Sequence, residues 1–402
     1  MLSGWKQCLL GDVLTLQRGF DITKKEQKQG YVPVISSSGI NSFHDTAKVN
    51  GPGVIIGRKG SLGTVFYTEE NYWPHDTTLW VKDFHSNFPK FTYYFLSTLN
   101  LAHFDVGASN PTLNRNHVHL LSVYWPPLRT QREIAAILSA YDNLIENNTR
   151  RIAILEEMAQ SLYREWFVHF RFPGHEKKRL VESTLGLIPE GWEVVKVSSA
   201  VEIDPPTKVP KDGEKPFVSM ASLSNNSMLI DDIELRTGHS GSKFKNRDTL
   251  FARITPCLEN GKTGYVQFLP SADSVAFGST EFIVLRSRTL CPEYVYLMAR
   301  SNEFRDNAIK SMTGATGRQR VQVACFDKFL LTQPDNKTLA AFRNMVTPLF
   351  HNIYILAQKN ANLRRTRDLL LPRLISGEVD VEGLEVAGVD ETGEVDTKAV
   401  TV

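Results

Sequence analysis

The sequence predicts an α+β fold in which two β-rich α/β domains are separated by two long antiparallel helices, paired as an intramolecular coiled coil. Three observations lead to this prediction. The chain of 402 residues is too long for one ordinary domain. A long β-rich unit occurs about twice along it, and an extended heptad pattern follows each copy. Two copies of one unit in a single chain also predict an approximate twofold repeat.

The repeat and its helices divide the chain into six segments. Residues 378–402 contain eight acidic residues and one lysine, which leaves 45 basic against 36 acidic residues in 1–377. A moderately basic body suits a polyanionic partner, and the acidic tail is expected to be disordered. The expected segments are a first β-rich domain over 1–127, a first long helix over 128–172, a linker over 173–190, a second β-rich domain over 191–334, a second long helix over 335–377 and the tail over 378–402.

The two β-rich domains share an order of features. Both open with Gly-Trp, at Gly4-Trp5 and Gly191-Trp192. Both place an arginine after an apolar strand, Arg58 in the first copy and Arg253 in the second. Both close with a strand that runs into proline. Identity between the copies is low, so the order of features predicts two related but unlike domains.

Two heptad patterns predict the long helices. Apolar residues at alternating spacings of four and three are typical of a coiled-coil seam. Each seam contains one asparagine, Asn148 in the first helix and Asn360 in the second, and an antiparallel pair would place them opposite each other. The alternative is that both face solvent at unrelated positions. The central seam residues are Leu138, Ile145, Asn148, Ile152, Leu155, Leu349, Ile353, Leu356, Asn360 and Leu363.

The same register places Trp166 opposite Phe342, so the helices overlap over nearly their whole length. Proline lacks the backbone N–H and crowds the preceding turn of a helix. Pro348 is therefore expected to kink or restart the second helix, and Pro372 is expected to end it near Leu371.

The composition argues against several classes of protein. No apolar run approaches the ~18–20 residues that a membrane span needs, and the N-terminus lacks the apolar segment of a signal peptide. These features predict a cytoplasmic protein. The four cysteines lie far apart and form no CxxC pair, which gives little support to a zinc or dithiol site.

Four motifs, taken in order, resemble the specificity subunit of type I restriction–modification enzymes. The resemblance covers essentially all of residues 1–380. The motifs are Trp125-Pro126-Pro127-Leu128 leading to Gln131-Arg132-Glu133-Ile134, the aromatic segment 162–170, the segment 185–192 that ends in Pro189-Glu190-Gly191-Trp192, and 362–378 with Leu371-Pro372-Arg373-Leu374.

The resemblance implies a non-catalytic DNA-recognition subunit. Each β-rich domain would be a target-recognition domain that reads one half of a gapped double-stranded DNA sequence. The helices would set the gap and dock two methyltransferase (modification) subunits, which a restriction–translocase subunit can join. S-adenosylmethionine, ATP and magnesium would be bound by those partners, with no cofactor or metal in this chain.

Basic and amide side chains in polar loops are the candidate DNA contacts. Arginine and lysine suit phosphates and guanine, and asparagine and glutamine suit adenine. The alternative for any one of them is a solvated surface charge, and the glycines around Arg58 can equally well form a hairpin turn. The candidates are Arg58, Lys59, Asn110, Asn114, Arg115, Lys243, Lys245, Arg247, Arg253, Lys262, Arg318, Gln319 and Arg320.

Enzyme interpretations have weaker support. Asp204-Pro205-Pro206 resembles the core of an amino-methyltransferase motif, but Thr207 replaces the aromatic residue that would stack on a flipped base. Gly57–Ser61 lacks phosphate-loop spacing. His75-Asp76 with His85 lacks a third metal ligand at good spacing, and we interpret these residues as structural or DNA-facing. The remaining alternative is a coiled-coil scaffold with protein-binding end domains, for which the polar, basic loops are a poor fit.

Overall fold

The computed structural model describes residues 4–104, 112–315 and 317–381. The chain divides into two compact units, one formed by Met1–Ile145 with Asn362–Val402 and the other by Glu146–Ala361. Helices and strands both contribute to the fold, which is α+β as predicted. A search of the described helices finds none with the length and apolar character to cross a membrane.

The first β-rich region belongs to the first unit and leads into a long helix. Its elements are β1 (Lys6–Leu9), α1 (Leu10–Val13), β2 (Thr15–Arg18), β3 (Val32–Ser36), β4 (Gly39–His44), β5 (Gly53–Gly57), β6 (Val65–Thr68), β7 (Trp73–Pro74), β8 (Thr78–Asp83), α2 (Pro89–Thr98), α3 (Arg115–His119) and β9 (Ser122–Trp125), followed by the long helix α4 (Leu128–Tyr163).

Two sheets of three or more strands form the centre of this region. One has the order β2-β8-β5-β6 and is antiparallel, and the other has the order β4-β3-β7 with β3 and β7 parallel. All five residues of β5 are buried. Full burial of a valine or isoleucine side chain contributes about 1.5–3 kcal/mol, so Val54, Ile55 and Ile56 fix this strand firmly in the core. The residue that follows β5 is therefore held on a rigid element.

The second β-rich region belongs to the second unit and leads into the other long helix. Its elements are β10 (Leu180–Ser183), β11 (Gly186–Pro189), β12 (Glu193–Lys196), α5 (Val197–Ala200), β13 (Val201–Ile203), β14 (Lys215–Val218), β15 (Glu234–Arg236), β16 (Ser242–Lys245), β17 (Thr249–Ala252), β18 (Thr263–Tyr265), β19 (Val275–Gly278), β20 (Phe282–Ser287), α6 (Pro292–Arg300), α7 (Asn302–Lys310), β21 (Leu330–Gln333) and the long helix α8 (Asn336–Ile375).

The two regions share one strand topology. The sheet β13-β20-β17-β18 repeats the order β2-β8-β5-β6, and the parallel pair β14 and β19 corresponds to β3 and β7. The opening and closing strands also pair in both regions, β1 with β9 and β12 with β21. The second region adds β16 at the edge of its second sheet. The repeat read from the sequence is thus present in the topology.

The long helices pair antiparallel within each unit. In the second unit, Asn148 Nδ2 donates to Asn360 Oδ1 at 3.0 Å, and the rings of Trp166 and Phe342 lie 5.7 Å apart. Asn148 and Asn360 are only 8% and 2% exposed, which excludes the solvent-facing alternative. The other seam residues are buried or partly buried as well.

In the first unit, Arg367 Nη1 donates to Asp142 Oδ1 at 2.6 Å. The antiparallel order therefore holds there too, since Arg367 follows Asn360 on α8 while Asp142 precedes Asn148 on α4. This pairing puts an arginine at a seam position of α8. Its charge is compensated by the carboxylate on the facing helix.

The structure contradicts two expectations about proline, a restart of the second helix at Pro348 and an end near Leu371. The helix α8 continues through Pro348 without a restart and does not end near Leu371, but continues through Pro372 to Ile375. Burial provides the reason, because the side chains of Leu374 and Ile375 are 2% and 6% exposed in the first unit's core. That burial offsets the single backbone hydrogen bond that proline removes near a helix end. The first long helix ends at Tyr163 and passes into a π-helical turn, Arg164–Val168.

Candidate nucleic-acid interface

Arg58 is held by its backbone on both sides. It directly follows β5, its N–H donates to the carbonyl of Thr77 at 2.8 Å, and its carbonyl accepts from the N–H of Leu113 at 3.0 Å. The side chain is half-buried. Burial, with a smaller contribution from the positive charge of Arg18, lowers the pKa of the Arg58 guanidinium.

Arg253 occupies the equivalent position in the second region. It directly follows β17, its N–H donates to the carbonyl of Glu281 at 3.0 Å, and its carbonyl accepts from the N–H of Val321 at 2.9 Å. The backbone of Arg253 is thus bound as that of Arg58 is. We refer to Arg58 and Arg253 as the repeated arginines.

The correspondence extends to the next residues. An isolated antiparallel bridge joins Lys59 to Thr112 in the first region, and another joins Ile254 to Arg320 in the second. Arg320 therefore stands where the first region has Thr112. The backbone frame around the repeated arginines is shared, while the side chains on it differ between the regions.

In the first region an ion pair lies beside the repeated arginine. Arg18, at the end of β2, donates through Nη2 to Asp76 Oδ2 at 2.9 Å. Arg58 Nη1 lies 3.4 Å from the backbone oxygen of Asp76. The side chain of Arg18 is 54% exposed, whereas that of Asp76 is 19% exposed. A solvent-facing guanidinium is thus held by a mostly buried carboxylate.

The neighbouring polar groups also form the cluster Asp21, His75 and Asp76, whose candidate ligand atoms lie within 4.8 Å of one another. The sequence interpretation paired His75-Asp76 with His85, which instead lies 2.9 Å from the hydroxyl of Thr15. Asp76 is already paired with Arg18. The cluster therefore fits a polar surface better than a closed metal site.

In the second region the repeated arginine lines a groove of about 770 Å³. The groove contains the cationic side chains of Lys208, Lys243 and Arg253 and the carboxylate of Asp204. Among the described residues, Arg253 Nε is buried without a hydrogen-bond partner. Burial raises the pKa of Asp204, and the charge of Arg253 opposes that shift. The groove is thus basic, and it contains an N–H group that a ligand could satisfy.

A second ion pair borders Arg253. Arg320 donates through Nη2 to Glu281 Oε1 at 2.6 Å and through Nε to the same carboxylate at 3.0 Å. The side chain of Arg320 is 47% exposed and that of Glu281 is 21% exposed. Hydrogen bonds from Arg320 hold the pKa of Glu281 below its usual value. This pair has the same exposure pattern as Arg18 and Asp76.

Some predicted contacts have structural roles. Lys262 Nζ donates to the backbone oxygens of Met220 and Leu223 at 2.9 and 2.8 Å, which occupies its ammonium group. Asn114 caps α3 through a hydrogen bond from the N–H of Asn116. Both residues stabilise local backbone, and any contact they make with DNA stays a prediction.

The remaining predicted residues divide into two groups. Lys245 and Arg247 line a different groove, of about 620 Å³, together with Arg343 of α8. The strand β16 therefore divides its basic residues between the two grooves, with Lys243 beside Arg253. The other predicted contacts are Lys59, which follows Arg58, Arg115, which begins α3, and Arg318 and Gln319, which precede Arg320. Of these, Gln319 is half-buried and the other three are exposed. Asn110 lies outside the described residues.

Sequence reasoning missed Arg18 and Glu281 of this surface and considered Asp76 only together with His75 and His85, whereas Arg320 was among the predicted contacts. Arg18 and Asp76 are 58 positions apart, and Glu281 and Arg320 are 39 positions apart, so nothing in their spacing indicates a pair. Asp204 was considered only as part of an enzyme motif. The signal that could have identified Glu281 is its place just before the strand that pairs with β17.

A comparison with protein families matches residues 2–157 to the type I restriction modification DNA specificity domain. Over 310 residues the chain is 23% identical to the MjaIX type I restriction enzyme specificity subunit of Methanocaldococcus jannaschii, covering 73% of this chain and 70% of that protein. Over 331 residues it is 21% identical to the HindI specificity subunit of Haemophilus influenzae, covering 67% and 71%.

The fold is similar to a solved structure as well. The crystal structure of a type I restriction–modification S subunit from M. genitalium superimposes with a TM-score of 0.60 at 13% identity, covering 92% of this chain and 96% of the other. The similarity in fold therefore extends over nearly the whole chain.

Proposed function

We propose that the chain is a specificity protein of a type I restriction–modification system, like the proteins to which it is similar, and that each of its β-rich regions reads one half of a gapped duplex DNA target. The observation that carries this proposal is the pair of repeated arginines. Equivalent backbone hydrogen bonds hold Arg58 and Arg253, but different charged side chains surround them. Two related but unlike surfaces suit two related but unlike half-sites.

The chemistry of the surfaces supports contact with DNA. A buried N–H that lacks a partner costs about 1–3 kcal/mol, and a phosphate oxygen or a base edge would satisfy Arg253 Nε on binding. The cationic groove around it would attract the polyanion. Together with the basic balance of the body of the chain, these groups would give a binding constant that falls with salt concentration.

We also propose that two methyltransferase subunits dock on this chain, and that a restriction–translocase subunit can join them. Support comes from the outer face of α4, where Ile154 and Met158 lie one helical turn apart and are 58% and 48% exposed. Large apolar side chains exposed together suit a protein partner. S-adenosylmethionine, ATP and magnesium would be bound by the partners, this chain would catalyse no step, and the complex would act in the cytoplasm.

A reconstituted complex tests the proposal. The full chain is assembled with its methyltransferase subunits, supplied with S-adenosylmethionine and incubated with a random duplex library, and methylated bases are mapped by sequencing. We expect a bipartite consensus with a fixed gap, and binding of labelled duplex that weakens as salt rises. Methylation without a consensus would overturn the proposal. So would DNA binding without sequence preference, which would leave a scaffold as the better interpretation.

A further inference from the structure

We propose that Arg18 and Arg320 read bases, one guanine in each half-site, and that the repeated arginines Arg58 and Arg253 contact the DNA backbone. We refer to Arg18 and Arg320 as the paired arginines, because each is bound to a carboxylate, Asp76 or Glu281. This inference rests on the proposed function and assigns the roles within it.

We assign base contact to the paired arginines and backbone contact to the repeated arginines because of the features that the two regions share and those in which they differ. Unlike half-sites have different bases but the same sugar–phosphate backbone. A residue at the same position in both regions suits the shared part, and the repeated arginines fulfil that condition. The residues that contact bases must therefore differ between the two regions. Arg18 ends β2, whereas Arg320 stands at the position of Thr112, so the paired arginines occupy unrelated positions.

The ion pairs themselves favour a base edge over a phosphate. The carboxylate of Asp76 or Glu281 would repel a nearby phosphate but not the neutral edge of a base. Each pair has no net charge, so it contributes to sequence discrimination more than to overall attraction. The two pairs also match in exposure, with the arginine about half exposed and the carboxylate about one-fifth exposed.

The ion pair of Arg320 leaves one edge of its guanidinium in a position to bind a base. Glu281 occupies Nε and one N–H of Nη2. Arginine has five N–H groups in a planar fork, so Nη1 and the second N–H of Nη2 face away from Glu281, with no hydrogen bond to them among the described residues. Guanine O6 and N7 accept two such bonds in the major groove. Because the carboxylate already fixes the side chain, binding costs less rotamer entropy.

The repeated arginines have the opposite character. Arg253 lies in the groove with Lys208 and Lys243, where three cations face one carboxylate. Arg58 is half-buried and partly occupied by the backbone oxygen of Asp76. A cationic groove with a buried N–H suits a phosphate oxygen. Losing a phosphate contact weakens binding to every sequence and reduces the salt dependence.

The test compares variants of the full chain in the methyltransferase complex. The wild-type consensus is first mapped with the random duplex library, and it should contain a G·C pair in each half-site. Arg18→Gln should then lose the preference for G·C at one position of one half-site, by about 10- to 100-fold in relative affinity. Arg320→Gln should do the same in the other half-site only. Asp76→Asn and Glu281→Gln should relax the same two positions, with smaller effect.

Arg58→Gln and Arg253→Gln should leave both consensus positions intact. They should lower the affinity for all duplexes and reduce the slope of log affinity against log salt by about 1 each. The matched control is Arg171→Gln, which removes another exposed arginine doubly bonded to a carboxylate, Glu165, outside both β-rich regions. Thermal melts confirm that each variant is folded.

The outcomes separate the inference from the proposed function. A wild-type complex that shows no consensus contradicts the proposed function. A bipartite consensus that survives in Arg18→Gln and Arg320→Gln, or that changes in base preference in Arg58→Gln, overturns the inference alone. If Arg18→Gln melts early, Arg18→Lys serves instead. Lysine keeps the charge but not the fork, so unchanged discrimination by that variant would also overturn the inference.

Discussion

Glu156 shows how a single charged residue joins α4 to the second β-rich region. Its Oε1 accepts from Ser227 Oγ and from the N–H of Met228, both at 2.7 Å. Burial raises the pKa of Glu156, and these hydrogen bonds and Arg300 only partly oppose the shift. The contact therefore needs an oxygen acceptor at this position more than it needs a charge.

Glu156→Gln should preserve the contact and change the pH dependence of stability. An acid whose pKa is raised by folding binds protons more readily in the native state, so its contribution is full at low pH and is lost as pH rises through the folded pKa. The variant should thus gain melting temperature relative to wild type as pH rises above the usual range for glutamate. Thermal melts over a pH series measure this difference.

Two substitutions control this prediction. Glu156→Ala removes the acceptor and should cost about 1–3 kcal/mol at low pH, and this cost should shrink as pH rises because wild type itself then loses the contribution of the protonated acid. The neighbouring Glu157 has its pKa lowered, mainly by its hydrogen bond from Arg164, so its contribution is present at high pH and is lost as pH falls. Glu157→Gln should therefore show a small trend of opposite sign. The same trend in both variants would contradict the account.

The sequence predicted the type of side chain at the site better than its role. Arg58 and Arg253 were identified because each follows an apolar strand, a local pattern. Lys262 was selected as a basic residue in a polar loop, yet its ammonium is bound to two backbone oxygens. Arg18 could not be selected, since its significance depends on Asp76, which is distant in sequence and close only after folding.

At the scale of elements, the buried asparagine pair is the clearest success of pattern reasoning. Heptad counting placed Asn148 and Asn360 opposite each other, and they are hydrogen-bonded. Asn360 also donates to Thr149 Oγ1 at 3.2 Å. A polar layer in an apolar seam lowers stability but favours one register.

A double-mutant cycle tests this layer. Asn360→Leu alone should lower stability by about 1–3 kcal/mol, because Asn148 is left in the seam without its acceptor. Asn148→Leu with Asn360→Leu should recover that loss or exceed wild-type stability, because two leucines pack in place of two amides. Melting temperatures of the two single variants and the double variant give the coupling. Additive losses would show that the two asparagines do not interact.

Prolines mark the limit of element-level prediction. A rule that considers only neighbouring residues predicted that the second helix ends near Leu371. Instead α8 continues to Ile375, because its last turn packs in a core formed by residues that are distant in sequence. Arg367 shows the same limit, because its partner Asp142 lies on the other long helix and is 225 positions away in sequence. Burial and charge compensation across elements are invisible to a rule that inspects one segment.

For the whole molecule, the repeat and the heptads predicted the order of elements, and the topology of both regions follows that order. The function proposed for the helices requires more than their presence. We refer to the two paired long helices as the strut. Two DNA-reading regions joined by the strut bind a gapped target tightly only if the strut limits their separation. A limited separation raises the effective concentration of the second region once the first is bound.

Leu363→Asp tests the strut. Leu363 is a half-buried seam residue of α8 that belongs to none of the apolar cores, so a carboxylate there should separate the helices locally while both β-rich regions stay folded. Burying an unpaired charge is costly, and local opening avoids that cost. We expect the affinity for the gapped duplex to fall toward that for a duplex with one half-site scrambled.

Leu369→Asp is the matched control for this experiment, because Leu369 lies on the same helix but is 64% exposed. It should leave the preference for the gapped duplex unchanged. Binding is measured for both variants on the gapped duplex, on the half-scrambled duplex and on duplexes with the gap lengthened by one base pair. A variant with a loosened strut should tolerate the longer gap better than wild type does. If Leu363→Asp keeps both the full affinity and the strict gap, the helices do not set the spacing, and the separation of the half-sites must be fixed by the partner subunits instead.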